Sequence, residues 1–197
     1  MIIDPILLLC RSWKIFYILN FFGIIGKEFR PRLDAAIKLL DGEEKNIQQE
    51  AKTLAEKLLN KTPVIYSIAG TEGVSIRFRQ QLNENSKELC WHQVVPEMNH
   101  NELVGWKRKR DDLAVVFFRN AGDFERSKTR IEVCKNIIAK SCSNIHEVYS
   151  KGNSALERAL YLIHLGDWVS VFLAELKNID PNEVQVIDFL KSELGKS

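Results

Sequence analysis

Val64-Ile65-Tyr66-Ser67-Ile68-Ala69-Gly70 is the stretch whose reading decides the fold. Pro63 leads into a run of strand length that is apolar at nearly every position. Gly70 follows at once, and a helical pattern then continues to Leu82. A continuous apolar run suits a strand buried on both faces, whereas alternation would suit a strand with one wet face. A glycine directly after the strand permits the sharp turn into a crossover helix.

The same unit recurs twice downstream. Leu113-Ala-Val-Val-Phe-Phe118 is followed by Gly122 and a helical pattern from Arg126 to Lys140, and Ile145-His-Glu-Val-Tyr149 precedes a long helix from Ser154 to Leu176. Strand, loop and helix repeated in this order predict an α/β domain: a parallel sheet flanked by helices in a three-layer sandwich. Ligands of such sheets bind outside the carboxyl ends of the strands. Asp180-Pro181 opens a last predicted helix, with Pro in the favoured first turn and Val184, Ile187, Leu190 and Leu194 on one face.

Upstream of the sheet, Asp34 to Leu59 carries Ala36, Ile37, Leu40, Ile47, Ala51, Leu54, Ala55 and Leu58 near a 3.6-residue period, with Gly42 as a candidate break into two pieces. Ile2 to Ile25 is rich in Ile, Leu and Phe, but Asp4, Arg11 and Lys14 interrupt it, and the uncharged run from Ile15 to Gly26 is too short to span a bilayer. Charges inside the apolar stretch also argue against a signal peptide. The expectation is an amphipathic or buried helix that packs on protein, its partner lying upstream. Residues 1–60 are therefore read as an N-terminal helical segment, a remnant of a linker or preceding domain, and residues 61–197 as an α/β domain with closing helices.

The chain has 197 residues, a hydrophobic fraction of 45%, a charged fraction of 27% and a formal charge of +2. That is the composition of an ordinary globular protein, and so small a charge gives no long-range field for nucleic acid or an anionic membrane. Cys10, Cys90, Cys134 and Cys142 form no CxxC pair and read as reduced thiols of a cytoplasmic protein. His92, His100, His146 and His164 lack HxH or HExxH spacing, so no metal is expected. The basic run after Trp106 ends in Asp111 and Asp112 and reads as a solvated connector. Tyr161, Leu162, Leu165 and Trp168, at helical spacing, read as core or dimer interface.

Chemistry concentrates between the first two predicted strands. Asn83-Glu84-Asn85 and Asn99-His100-Asn101-Glu102 are two polar clusters in which a helix end and a following loop would bring a carboxylate and an imidazole together as an acid–base pair. Asn residues also cap helices and form turns, so the plainer reading of each cluster is a cap or a loop.

The residues "LNENSKELCWHQVVPEMNHNELVGW" (82–106) resemble the equivalent stretch of the bifunctional phosphoglucose/phosphomannose isomerases, where an NENAK-like motif precedes PExNHNE. Residues 161–194, "YLIHLGDWVSVFLAELKNIDPNEVQVIDFLKSEL", are similar to that family's C-terminal helices. The resemblance covers roughly residues 60–194. It implies the C-terminal one of two sugar-isomerase (SIS) domains, and conversion of glucose 6-phosphate, with mannose 6-phosphate as a further substrate, to fructose 6-phosphate without a metal or other cofactor. A non-catalytic SIS module that binds a sugar phosphate or mediates dimerisation is the alternative.

By the same resemblance Glu84 matches the base that moves a proton between C2 and C1, and His100 matches the histidine that opens the sugar ring and reaches into a neighbouring subunit's site. A homodimer with composite sites is thus implied. Asn83, Asn85, Asn99 and Asn101 would hold these two side chains, with Glu97 and Glu102 as capping or supporting carboxylates. Lys191 corresponds to a lysine that the family's last helix presents to substrate, or is a helix-surface lysine. Asn182 stands where relatives often have Thr, near the region that admits the mannose epimer, and the departure bears on the phosphomannose activity. The family's phosphate loop belongs to the N-terminal domain. Its counterpart here, Ala69-Gly70-Thr71-Glu72-Gly73, has one hydroxyl and an acidic neighbour, so a separate N-terminal SIS domain is the expected partner.

Overall fold

The computed structural model describes residues 14–196. Four parallel strands form the centre: β1 (Thr62–Ile68), β2 (Trp91–Val95), β3 (Leu113–Arg119) and β4 (Ile145–Tyr149), in the order β2-β1-β3-β4. The strand pattern of the sequence anticipates β1, β3 and β4. It misses β2, because Trp91–Val95 leads through two short turns straight into the next strand, without the helix that follows each of the other three. As an edge strand β2 is only partly buried, whereas β3 is buried along its whole length. Continuous burial, the cue used to find strands, fades at edges.

Five longer helices lie among the described residues: α1 (Phe29–Leu58), α2 (Glu72–Asn85), α3 (Glu125–Ile138), α4 (Ala155–Leu176) and α5 (Gln185–Leu194). One face carries α1, α2 and α4, whose Leu40, Ala51, Leu58, Phe78, Leu82, Tyr161 and Leu165 pack with Ile65, Val116 and Phe118 of the strands. On the other face Ile131, Cys134 and Ile138 of α3 pack with Val64, Tyr66, Val115 and Phe117. Alternation along β1 and β3 sends successive side chains to opposite layers, so a strand apolar throughout fills two cores. The three-layer α/β architecture expected from the sequence is therefore the one found.

α1 is a single helix of 30 residues, so Gly42 does not divide it. No side chain approaches the point where a Cβ of Gly42 would lie, and the i, i+4 bonds continue through it. Its link to α4 has a polar component. Fully buried His164 meets Glu44 at 2.6 Å, Trp168 Nε1 donates to Glu44 at 3.1 Å, and Tyr161 donates to Glu50 at 3.3 Å. α4 begins at a capping box, in which the Ser154 hydroxyl accepts the Glu157 N–H at 3.2 Å and the Glu157 carboxylate accepts the Ser154 N–H at 2.7 Å. By length and hydropathy α4 would suffice to cross a membrane, but most of it is buried in the domain core.

One expectation for the ends differs from the structure. Pro181 does not begin a helix. Asp180 Oδ1 accepts the Asn182 N–H at 2.8 Å, this turn carries the chain to Val184, and α5 starts at Gln185. Val186, Ile187, Phe189, Leu190 and Leu194 of α5 are all exposed. At the other end, residues 1–13 lie outside the described part, and with them half of the apolar stretch from Ile2 to Ile25. Residues 14–21 are helical. Phe16 and Tyr17 pack against Phe29 with ring centroids 5.8 and 5.2 Å apart, while Ile15, Ile18, Phe21 and Phe22 face outward.

Candidate functional site

Glu84 occupies the last turn of α2, and its neighbours are tied down on both sides. Asn83 Nδ2 donates to the Glu88 carbonyl at 2.6 Å, and Asn85 Nδ2 donates to Ser170 Oγ of α4 at 2.8 Å. The Ser86 hydroxyl donates to the Ser170 carbonyl at 2.7 Å. Lys177 Nζ, just past α4, donates to the Ser86 carbonyl at 2.9 Å and pairs with Glu88 at 2.7 Å. Midway along α2, Arg77 forks onto Asp167 at 3.2 and 3.3 Å. Burial raises the Asp167 pKa, and the Arg77 guanidinium opposes the shift. The helix end is thus pinned to α4, and the Glu84 side chain projects from it into solvent.

His100 ends a 3-10 turn, Glu97–His100, that follows the cis Val95–Pro96 bond. Buried Met98 anchors this turn in the core, and Asn99 Nδ2 lies 2.7 Å from Cys134 Sγ on α3. A second turn, Glu102–Gly105, begins where the Asn101 side chain accepts the Glu102 N–H. The Glu102 carboxylate accepts hydrogen bonds from Tyr66 and, at 3.0 Å, from Trp91 Nε1, while Trp106 Nε1 donates to the Tyr66 hydroxyl at 3.1 Å. Burial, reinforced by the carboxylate, pushes the Tyr66 phenol far above its ordinary range, so Tyr66 stays a donor. The turns are clamped and His100 stands exposed on them.

The four asparagines therefore hold backbone and neighbouring elements. Among the described residues none of their hydrogen bonds goes to the Glu84 or His100 side chain. Glu102 is a buttress for the turn, and Glu97 is exposed in the first of the two turns. Within one chain Glu84 and His100 belong to different layers. α2 packs on one face of the sheet and the Met98–Trp106 segment on the other, with edge strand β2 between them. The convergence suggested by their spacing does not occur through any bond between them.

Lys191 is exposed on α5 with Asp188 4.0 Å away, and Asn182 bonds within its own turn. No described hydrogen bond or ion pair links either residue to Glu84 or His100. In the Ala69–Thr71 turn after β1 the Thr71 hydroxyl donates to the Ile68 carbonyl at 3.1 Å, so the one hydroxyl of this loop is occupied. Ser170, Lys177 and Glu88, which fix the α2 end, escape a reading of the sequence centred on acid–base pairs. Their signal is a polar interruption, Asp167 and Ser170, inside an otherwise apolar helix stripe.

A family model for the bacterial phospho-glucose isomerase C-terminal SIS domain matches residues 47–194. The chain is 36% identical over 181 residues to a bifunctional phosphoglucose/phosphomannose isomerase of Aquifex aeolicus, covering 91% of this chain and 55% of the relative. It is 41% identical over 158 residues to that of Caldicellulosiruptor bescii, covering 78% and 46%. The chain thus spans about half the length of the curated relatives it matches. In fold it is similar to a glucose-6-phosphate isomerase like protein from Thermus thermophilus, with a TM-score of 0.67 at 22% identity over 82% of this chain and 56% of that one. The C-terminal domain of glucosamine-fructose-6-phosphate aminotransferase from Francisella tularensis matches with a TM-score of 0.64 at 13% identity, over 79% and 47%. The two solved structures bear on the fold alone, while the family match over most of the sequence carries the assignment: this chain belongs to the family of bacterial phospho-glucose isomerase C-terminal SIS domains.

Proposed function

We propose that this chain is the catalytic C-terminal half of an aldose–ketose isomerase acting on glucose 6-phosphate, with mannose 6-phosphate as a further substrate, and that Glu84 is its base. The observation that carries the reading is the pinned end of α2: Asn83, Asn85 and Ser86 are each bonded to a neighbouring segment, and the carboxylate between them is left unencumbered. Fixed placement of a base by its neighbours is what proton abstraction from carbon requires.

Glu84 takes the proton from C2 of the open-chain aldose as the C1 carbonyl oxygen gains one, giving an enediol. Returning the carbon-bound proton to C1, with loss of the O2 proton, leaves the C2 ketone. His100 moves protons at the ring oxygen and the C1 hydroxyl to open the ring, because imidazole donates and accepts near neutrality. The β2 edge lies between the two residues in one chain, which favours a composite site in which His100 comes from a second subunit of a homodimer. Phosphate is held by an N-terminal SIS domain, since the 69–73 loop spends its threonine hydroxyl internally. Lys191 and Asn182 approach substrate only once α5 is covered in the assembled enzyme.

The test is a coupled assay of fructose 6-phosphate conversion by the purified chain, alone and supplemented with the N-terminal half of a family member. Isomerisation in either setting that falls by about 10²- to 10⁴-fold in Glu84→Gln, with an unchanged melting temperature, supports the reading. Turnover that survives Glu84→Gln, or its absence in both settings, refutes it.

A further inference from the structure

Proton transfer by Glu84 needs a companion group. As the carboxylate removes the proton from C2, the C1 oxygen must gain one, and the proton on O2 must later leave. In a cis-enediol the two oxygens lie side by side, so one group that can both donate and accept serves them both. The segment that carries Glu84 holds such a group. Asn83-Glu84-Asn85-Ser86-Lys87 closes α2, and the Lys87 ammonium is the one titratable group in it besides the base.

The backbone at Lys87 is unusual. Its φ is +52°, in the left-handed region that glycine enters freely and a residue with a Cβ does not. The position is the one just past the helix end where glycine is the common choice. Neighbouring bonds hold the turn in place: the Ser86 hydroxyl donates to the Ser170 carbonyl at 2.7 Å, the Glu88 N–H donates to the Leu82 carbonyl at 3.1 Å, and Glu88 pairs with Lys177. Lys87 Nζ then folds back and donates to the Glu84 carbonyl at 2.6 Å. Lys177, the other ammonium at this helix end, is taken by a carboxylate, whereas the described bond of Lys87 goes to a neutral carbonyl. An ammonium has three donors, so that bond leaves two for a ligand. Because the carbonyl and the carboxylate belong to the same residue, covalent reach keeps the ammonium within about 10 Å of the carboxylate. A C1–C2 unit contacted at both ends takes up most of that span.

We infer that Lys87 is a second catalytic residue of the isomerisation, the acid that protonates O1 and the base that deprotonates O2. The inference rests on the reading of Glu84 as the base. Glu84 takes the C2 proton, the C2–H electron pair becomes the C1–C2 double bond, and the C1 carbonyl pair takes a proton from the Lys87 ammonium. The amine so formed takes the O2 proton, the O2–H pair closes the C2 carbonyl, and C1 takes its proton from Glu84. Carboxylate and ammonium are both restored, and no further reactant is needed. The positive charge stands by the oxygen on which negative charge develops. A turn alone would be better served by glycine, so a lysine held in this conformation beside the base points to a task for its side chain.

The test is Lys87→Gly in the coupled assay of fructose 6-phosphate conversion, beside the unsubstituted chain and Glu84→Gln, each supplemented with the N-terminal half of a family member. Glycine suits the left-handed turn, so the melting temperature should hold. Turnover should fall by about 10²- to 10³-fold, the scale for removing one donor from a developing charge. The loss should lie in kcat rather than KM, because the contact strengthens as the charge forms. Methylammonium added to Lys87→Gly should restore part of the turnover and leave Glu84→Gln inactive. Turnover lost in Glu84→Gln but kept in Lys87→Gly would overturn this inference alone. So would a loss that follows a lowered melting temperature and does not respond to the amine, the behaviour of a mere helix cap. Inactivity of the unsubstituted chain would strike the isomerase reading and this inference together.

Discussion

At the scale of single residues, the proposed chemistry asks different things of Glu84 and His100. Both are exposed on rigidly held segments, so replacing either removes reactive atoms with little loss of packing. His100→Ala is expected to slow turnover of cyclic sugar phosphate by about 10²-fold or more, the scale of general acid–base catalysis. Substrate supplied in the open-chain form should be spared. Equal losses on both forms would remove ring opening from the residue's role. The residues that position this machinery are harder to see than the machinery itself. Asn83 and Asn85 announce themselves by flanking a glutamate, but Ser170 and Lys177 lie about 90 positions away and become partners only when α4 packs on α2.

At the scale of elements, two features of α4 set its place. Its start is fixed by the capping box, and Ser154→Ala should cost about 1 kcal/mol in chemical denaturation with the slope unchanged. Its middle is fixed by close approach. A Cβ at Gly166 would stand 2.8 Å from Cδ2 of the Phe78 ring, and that ring packs edge-on against Phe118 at 5.5 Å. Alanine would gain up to about 1 kcal/mol in helix propensity. The displaced ring has buried neighbours and little room, at a cost of about 1–3 kcal/mol. Gly166→Ala is therefore expected to lower the denaturant midpoint, and an increase would mean that α2 shifts to make room. Patterning located α4 because both its faces are apolar. It located β4 by the long helix that follows it, but β2 is followed by no helix and came to light only through its pairing with β1.

For the whole molecule, the histidines couple stability to pH. Burial lowers the pKa of both His92 and His146 below 6.5, helped by Arg79 beside the first and Lys57 beside the second. The unfolded chain then binds more protons than the folded one as pH falls below about 6.5, so stability rises with pH through that window. Stability should be full above it, decline on acidification, and level off once the folded-state values are passed. Denaturant titrations from pH 7.5 to pH 5 check this, and the slope should diminish in His146→Gln. A flat profile would show that the two imidazoles are as well solvated in the fold as out of it. The sequence by itself determined the layer architecture and the family, because these follow from periodicity and from motifs contiguous in the chain. Only the tertiary structure decided that Glu84 and His100 fall in different layers around β2, that α1 runs unbroken through Gly42, and that α5 leaves its apolar side exposed. Each of these depends on what packs beside a segment, and a local pattern does not contain its neighbours.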